Sequence, residues 1–164
     1  LTSEQILYEM TNRDSSQIIS VTSSKSKEHT ILRDSILPGL LENLSKNIHE
    51  TYPQKFFESG IVFSMGSPIK ETASLACVTA SEETHFSEMK AVLQSLLRIG
   101  FNTKCETKTL SNHALFSQGR VAEIVVSGKA VGYIGELDSK VLENFRIRTK
   151  VVAFEIKLSG LIFD

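Results

Sequence analysis

The chain has 164 residues, 41% hydrophobic and 23% charged, which is close to the globular average and enough for one domain with a sizeable core. Eighteen basic residues against nineteen acidic ones leave a formal net charge of −1, so no global field draws the chain to nucleic acid. No apolar run approaches the length of a membrane span.

Residues 2–10 read as a short helix, with Thr2 and Gln5 as a capping box and Ile6 and Met10 on one face. Residues 11–16 are polar and loop-like. Ile18, Ile19 and Val21 predict a short strand, and residues 23–28 a polar turn. The stretch 33–47 organises the rest. Asp34 or Ser35 is placed to cap a helix there, and Pro38 falls in its first turn, where a missing amide costs no helical bond. Leu37, Leu40, Leu41 and Leu44 recur at helical spacing and form one apolar stripe. Gly39 costs about 1 kcal/mol relative to Ala inside a helix, which predicts a close backbone neighbour.

Tyr52-Pro53 breaks the pattern. Residues 55–64 then read as a strand, Gly66, Ser67 and Pro68 as a turn, and residues 75–79 as a second strand. Phe86, Met89, Leu93, Leu96 and Leu97 define a second amphipathic helix, with Thr84 as cap and Gly100 as stop. Residues 103–109 suit an exposed strand. Residues 122–126 and 130–134, joined by Ser127-Gly128-Lys129, form a β-hairpin. Ser139 is placed to cap a short helix whose Leu142 and Phe145 face inward. Residues 151–158 make the last strand, followed by Leu161 and Ile162. Short connections between neighbouring strands predict an α+β fold with a mostly antiparallel sheet of about six strands, as a single domain over residues 1–164. A start at Leu1 rather than Met reads as a fragment of a longer chain.

Cys77 and Cys105 have neither CxxC spacing nor a nearby histidine pair, so they read as free thiols in a reducing compartment. His29, His49, His85 and His113 make no i, i+4 pair, and no metal site is expected. His113 with Arg120 and Glu123 admits a polar cleft, but surface and loop positions are the simpler reading. Glu82-Glu83 reads as a solvated turn. Arg146, Arg148 and Lys150 form a small basic cluster, read as a solvated face. No nucleophile elbow or phosphate-binding loop is present.

Four segments in order carry a resemblance. They are residues 32–41, Leu-Arg-Asp-Ser-Ile-Leu-Pro-Gly-Leu-Leu; residues 56–63, Phe-Phe-Glu-Ser-Gly-Ile-Val-Phe; residues 119–124, Gly-Arg-Val-Ala-Glu-Ile; and residues 131–137, Val-Gly-Tyr-Ile-Gly-Glu-Leu. With Leu1-Thr2-Ser3 and the lead-in over residues 27–33, the chain resembles the C-terminal part of the beta subunit of phenylalanyl-tRNA synthetases of archaeal and eukaryotic-cytosolic type. Asp138-Ser139 stand where that family usually has His-Pro.

The resemblance implies the class II aminoacyl-tRNA synthetase fold, an antiparallel sheet flanked by helices, in a catalytic-like module without chemistry. It implies an alpha subunit that carries the active site in an α2β2 assembly, tRNA as partner, a cytoplasmic location, and ATP and Mg used by the parent complex rather than by this domain. The motif for the first ATP-binding arginine aligns with residues 60–66, which puts Ser64 at the arginine and Gly66 at a glutamate. The second aligns with residues 153–160, which puts Glu155 and Lys157 at two glycines and Gly160 at the arginine. No catalytic, cofactor-binding or metal residue is therefore expected. Leu37, Gly39, Leu40, Leu41, Leu44 and Asn47 are expected at a subunit interface, and the isolated fragment is expected to self-associate. The competing readings are an active class II-type ligase domain and a free-standing interaction domain built on the same fold.

Overall fold

The computed structural model describes residues 1–15, 18–22 and 30–161. The polar turn at 23–28, residues 27–29 of the lead-in with His29 among them, Ser16 and Ile162 lie outside the described residues.

Six strands form one antiparallel sheet: β1 (Gln54–Ser64), β2 (Lys70–Ala80), β3 (Glu106–Leu110), β4 (Phe116–Val126), β5 (Lys129–Leu137) and β6 (Val151–Lys157), in the spatial order β1-β2-β6-β5-β4-β3. Helices α1 (Leu37–Lys46) and α3 (Ser139–Asn144) pack on one face, with a π-helical turn at Gln5–Glu9 beside α1. Helix α2 (Phe86–Phe101) covers the other face. The α+β antiparallel expectation holds.

Strand alternation divides the core in two. Ala76, Val78, Val151, Ala153, Val121 and Leu137 meet the α1 leucines. Val152, Phe154, Ile156, Ile134 and Ile124 meet Met89, Leu93 and Leu97 of α2. Leu37, Leu40, Leu41 and Leu44 are 0–2% exposed, so the stripe is satisfied within the chain.

Several local expectations are overturned. Neither Asp34 nor Ser35 caps α1; its N-cap is Ile36, with no side-chain cap of its own. Gly39 has no close neighbour, because a β-carbon there would meet nothing within 4 Å. Ser3, not Thr2, receives an amide of the first turn, from Ile6. Helix α2 has His85 at its N-cap in place of Thr84, and it runs past Gly100 to a left-handed Asn102. Asp138 caps α3 by accepting from the Lys140 amide, where Ser139 was expected. At the starts of α2 and α3 the residue next to the expected one, His85 or Asp138, has the extended backbone of a cap, which pattern alone does not resolve.

Candidate functional site

Helix α1 begins directly over the sheet, and its first amides need acceptors. They find them on β6. The Ile36 N–H donates to Glu155 Oε1 (2.9 Å), the Leu37 N–H to Oε2 (3.2 Å), and the Ser35 hydroxyl to Oε2 (2.7 Å). One carboxylate thus terminates the helix from 118 to 120 residues away, and its charge complements the helix dipole. Burial pushes the Glu155 carboxyl above its ordinary value, opposed by the Ser35, Ile36 and Leu37 donors and by the field of Arg13.

Glu155 lines a partly open cavity of about 190 Å³ between the sheet, α1 and the N-terminal segment. Arg13, Asp34, Ser74, His113, Tyr133 and Lys157 share that cavity. Arg13 is committed on both sides. Its Nη2 lies 2.9 Å from Asp34 Oδ1 and 2.8 Å from the Leu7 carbonyl, and its guanidinium lies over the Tyr8 ring at 5.1 Å. Tyr8 donates to Asp34 Oδ2 (3.3 Å), and burial followed by the Asp34 charge raises its pKa. Ser74, 1% exposed, has no partner for its hydroxyl among the described residues.

His113 lies in the loop before β4, as expected, but is half-buried rather than fully exposed. Its ring packs on Tyr133 and Phe116, with centroids 4.5 and 5.0 Å away, and its Nδ1 accepts from the Leu115 amide (3.3 Å). Burial, then the Arg13 charge, holds its pKa below 6.5. The folded chain therefore binds fewer protons than the unfolded one between the lowered value and 6.5, and stability gains as pH rises through that window. A proton-NMR titration is expected to place the His113 midpoint below 6.5; a midpoint at or above it contradicts the packed neutral ring.

Of the positions aligned with the ATP motifs, the structure brings only Glu155 and Lys157 to this cavity. Ser64 ends the edge strand opposite Lys70, and Gly66 lies in the following turn. Gly160 sits in a 3-10 turn, where a β-carbon would lie 3.0 Å from Val131. Of the expected interface positions, the leucines are internal. Asn47 caps the end of α1, with its side chain on the Asn43 carbonyl (2.7 Å) and its own carbonyl held by Gln54 (2.8 Å). Arg13, Ser74 and Tyr133 escaped sequence reasoning, and His113 was paired there with Arg120 and Glu123 instead of with these groups. Each sits in a different segment, and only strand register joins them.

A family model described as the phenylalanyl tRNA synthetase beta chain CLM domain matches residues 1–158. The chain belongs to this family. It is 37% identical over 167 aligned positions to the phenylalanine–tRNA ligase beta subunit of Pyrococcus abyssi, covering 98% of this chain. It is 41% identical over 167 positions to that of Archaeoglobus fulgidus, covering 100% of the chain. To that of Methanocaldococcus jannaschii it is 36% identical over 164 positions, covering 96%. The chain spans 29% of the length of each of these relatives.

The segments that carried the likeness to the beta-chain family now have physical jobs. In residues 33–35, Arg33 pairs with Glu58 (2.6 Å) and reaches the Ile61 carbonyl (3.1 Å), Asp34 holds Arg13, and Ser35 holds Glu155. Gly132 lies against the Glu155–Ile156 backbone. At Gly135 a β-carbon would come within 2.7 Å of the Arg120 carbonyl.

Proposed function

We propose that this chain is a catalytic-like module of the class II synthetase type, from the C-terminal part of a phenylalanyl-tRNA synthetase beta chain. In this reading it performs no chemistry and supports assembly with the alpha subunit and placement of tRNA, in the cytoplasm. ATP and Mg belong to the parent complex.

The observation that carries this reading is the use of Glu155. In the central cavity that carboxylate is engaged by three donors of the chain itself, and it would repel a triphosphate. Arg13, the guanidinium at the cavity, is tied to Asp34. A volume of about 190 Å³ also falls below the roughly 300–1,000 Å³ of sites that enclose drug-sized ligands. Adenylate formation needs free cations on the phosphates. ATP–pyrophosphate exchange with phenylalanine is expected to be absent for the chain alone and present once an alpha subunit is added. Exchange by the chain alone would support the active-ligase alternative and end this one.

The partner surface in this proposal is β1, the strand after α1. Phe57 is 77% and Ile61 42% exposed on its outer side, a patch suited to burial against a subunit or, in isolation, a second copy. Phe57→Asp is expected to weaken association with the alpha subunit while leaving the melting temperature within about 2 °C. Leu40→Asp instead buries a charge in the core and is expected to unfold the chain. Unchanged association of the Phe57 variant in analytical ultracentrifugation removes β1 from the interface.

A further inference from the structure

The cavity at the start of α1 has a polar group on its floor that no described residue engages. Ser74 lies on β2, on the face that carries Ala76 and Val78 toward α1. It is 1% exposed, it lines the cavity, and its hydroxyl has no hydrogen-bond partner among the described residues. Its neighbours on the two flanking strands explain why. On β1 it faces Gly60, which has no side chain to offer. The Arg33 guanidinium lies over that glycine but bonds Glu58 and the Ile61 carbonyl instead. On β6 it faces Lys157, whose ammonium makes no ion pair among the described residues. A buried hydroxyl without a partner is costly unless something occupies the space it faces.

The groups left over around the cavity give the sign of an occupant. Both lining carboxylates are engaged, Asp34 by Arg13 and Tyr8, and Glu155 by Ser35 and the first amides of α1. Arg13 is spent on Asp34. What remains is the Ser74 hydroxyl at the floor and, beside it in register, the exposed Lys157 ammonium at the rim. Register-paired side chains on one sheet face stand about 5 Å apart at Cβ, close enough for both to reach one carboxylate. A single unpaired cation suits a monoanion and not a triphosphate. The rest of the wall is aromatic or apolar, with the His113 ring packed on Tyr133 and Phe116, and Leu115 and Val62 beside them. A cavity of roughly 150 Å³ admits benzene, so about 190 Å³ holds one ring together with a carboxylate.

We propose that this cavity is a binding site for a small organic carboxylate with a flat, apolar body. The carboxylate lies on the Ser74 hydroxyl and the Lys157 ammonium, and the body packs against the His113 and Tyr133 rings. The site is separate from the β1 partner surface and asks no chemistry of the chain, so it stands whether or not the module has a synthetase partner.

The test is a proton-NMR titration of the chain at neutral pH with benzoate, with its neutral isostere benzamide, and with acetate, which lacks the ring. Saturable shifts of the His113 and Tyr133 ring resonances are expected with benzoate. Benzamide and acetate should each bind about tenfold more weakly or worse, the worth of a hydrogen bond to a charged group and of a buried ring respectively. Lys157→Met keeps the apolar stem and removes the charge, so it should weaken benzoate about tenfold and leave benzamide unchanged. Ser74→Ala should weaken benzoate by a similar factor, while its melting temperature without ligand stays at or above that of wild type, because no hydrogen bond is lost. Lys129→Met, at the exposed hairpin tip, should change nothing. The site is overturned if millimolar benzoate gives no saturable shift, as for a cavity that holds only water. It is equally overturned if benzamide binds as well as benzoate, or if both cavity variants bind benzoate like wild type.

Discussion

Gly132→Ala is expected to destabilise the chain by about 3 kcal/mol or more, the upper range for forcing atoms into a packed interior. For a domain of this size that is a fall in melting temperature of roughly 6–12 °C. The reason lies across the sheet. Gly132 pairs with Ile156 of β6. A β-carbon there would overlap the Glu155 carbonyl and lie 2.8 Å from Ile156 Cα. Both obstacles are backbone in the middle of the sheet, so neither can turn away as a side chain would. The only relief is to part β5 from β6, which breaks a ladder between two buried strands. Gly39→Ala is the matched control with the opposite sign. Its β-carbon meets nothing, so helix propensity decides, and a gain of about 1 kcal/mol is expected. Thermal or denaturant melts check both, and a mild effect at Gly132 would mean the β5–β6 spacing is wrong.

Glu155→Ala is expected to cost about 3 kcal/mol, through the loss of a helix cap and the stranding of partly buried donors. It leaves the Ile36 and Leu37 amides and the Ser35 hydroxyl without their acceptor. Ser35→Ala removes a single donor and should cost about 1 kcal/mol. The same carboxyl sets a pH signature. Its folded pKa is raised above the ordinary 4.5, chiefly by burial, so the folded chain binds more protons than the unfolded one between 4.5 and the raised value. This group's contribution therefore falls as pH rises through that window and is flat above it. Glu155→Gln keeps one acceptor oxygen and cannot titrate. The stability difference between wild type and Glu155→Gln, measured by urea melts from pH 4.5 upward, should move against the wild type as pH rises. A difference that is flat or of opposite slope contradicts the enclosed cap.

These two predictions rest on residues that the sequence reading treated differently. The likeness to the beta-chain family places Glu155 at a lost glycine of a nucleotide site. The structure adds a positive duty, since it closes the helix whose leucines fill the core. Gly39 and Gly132 are equally instructive. The glycine that stood out locally, inside a helix, has space around it. The crowded glycine sits in a hairpin strand where sequence gives no hint of what lies on the neighbouring strand.

The sequence by itself determined what depends on neighbours a few residues apart. The leucine spacing of residues 37–44 records a helix with one buried face. The alternation and glycine turn of residues 122–134 record a hairpin. Both are legible because a periodic burial pattern leaves a periodic composition. The order of short connections carried the antiparallel sheet with it. Only the tertiary structure decided which distant groups meet. The Glu155 carboxylate on α1, the Arg13–Asp34 pair, His113 against Tyr133, and Ser74 beside Lys157 all follow from strand register and helix placement. A one-residue slip of β6 would turn Glu155 to the other face and leave its composition unchanged, which is why no local pattern could have announced the site.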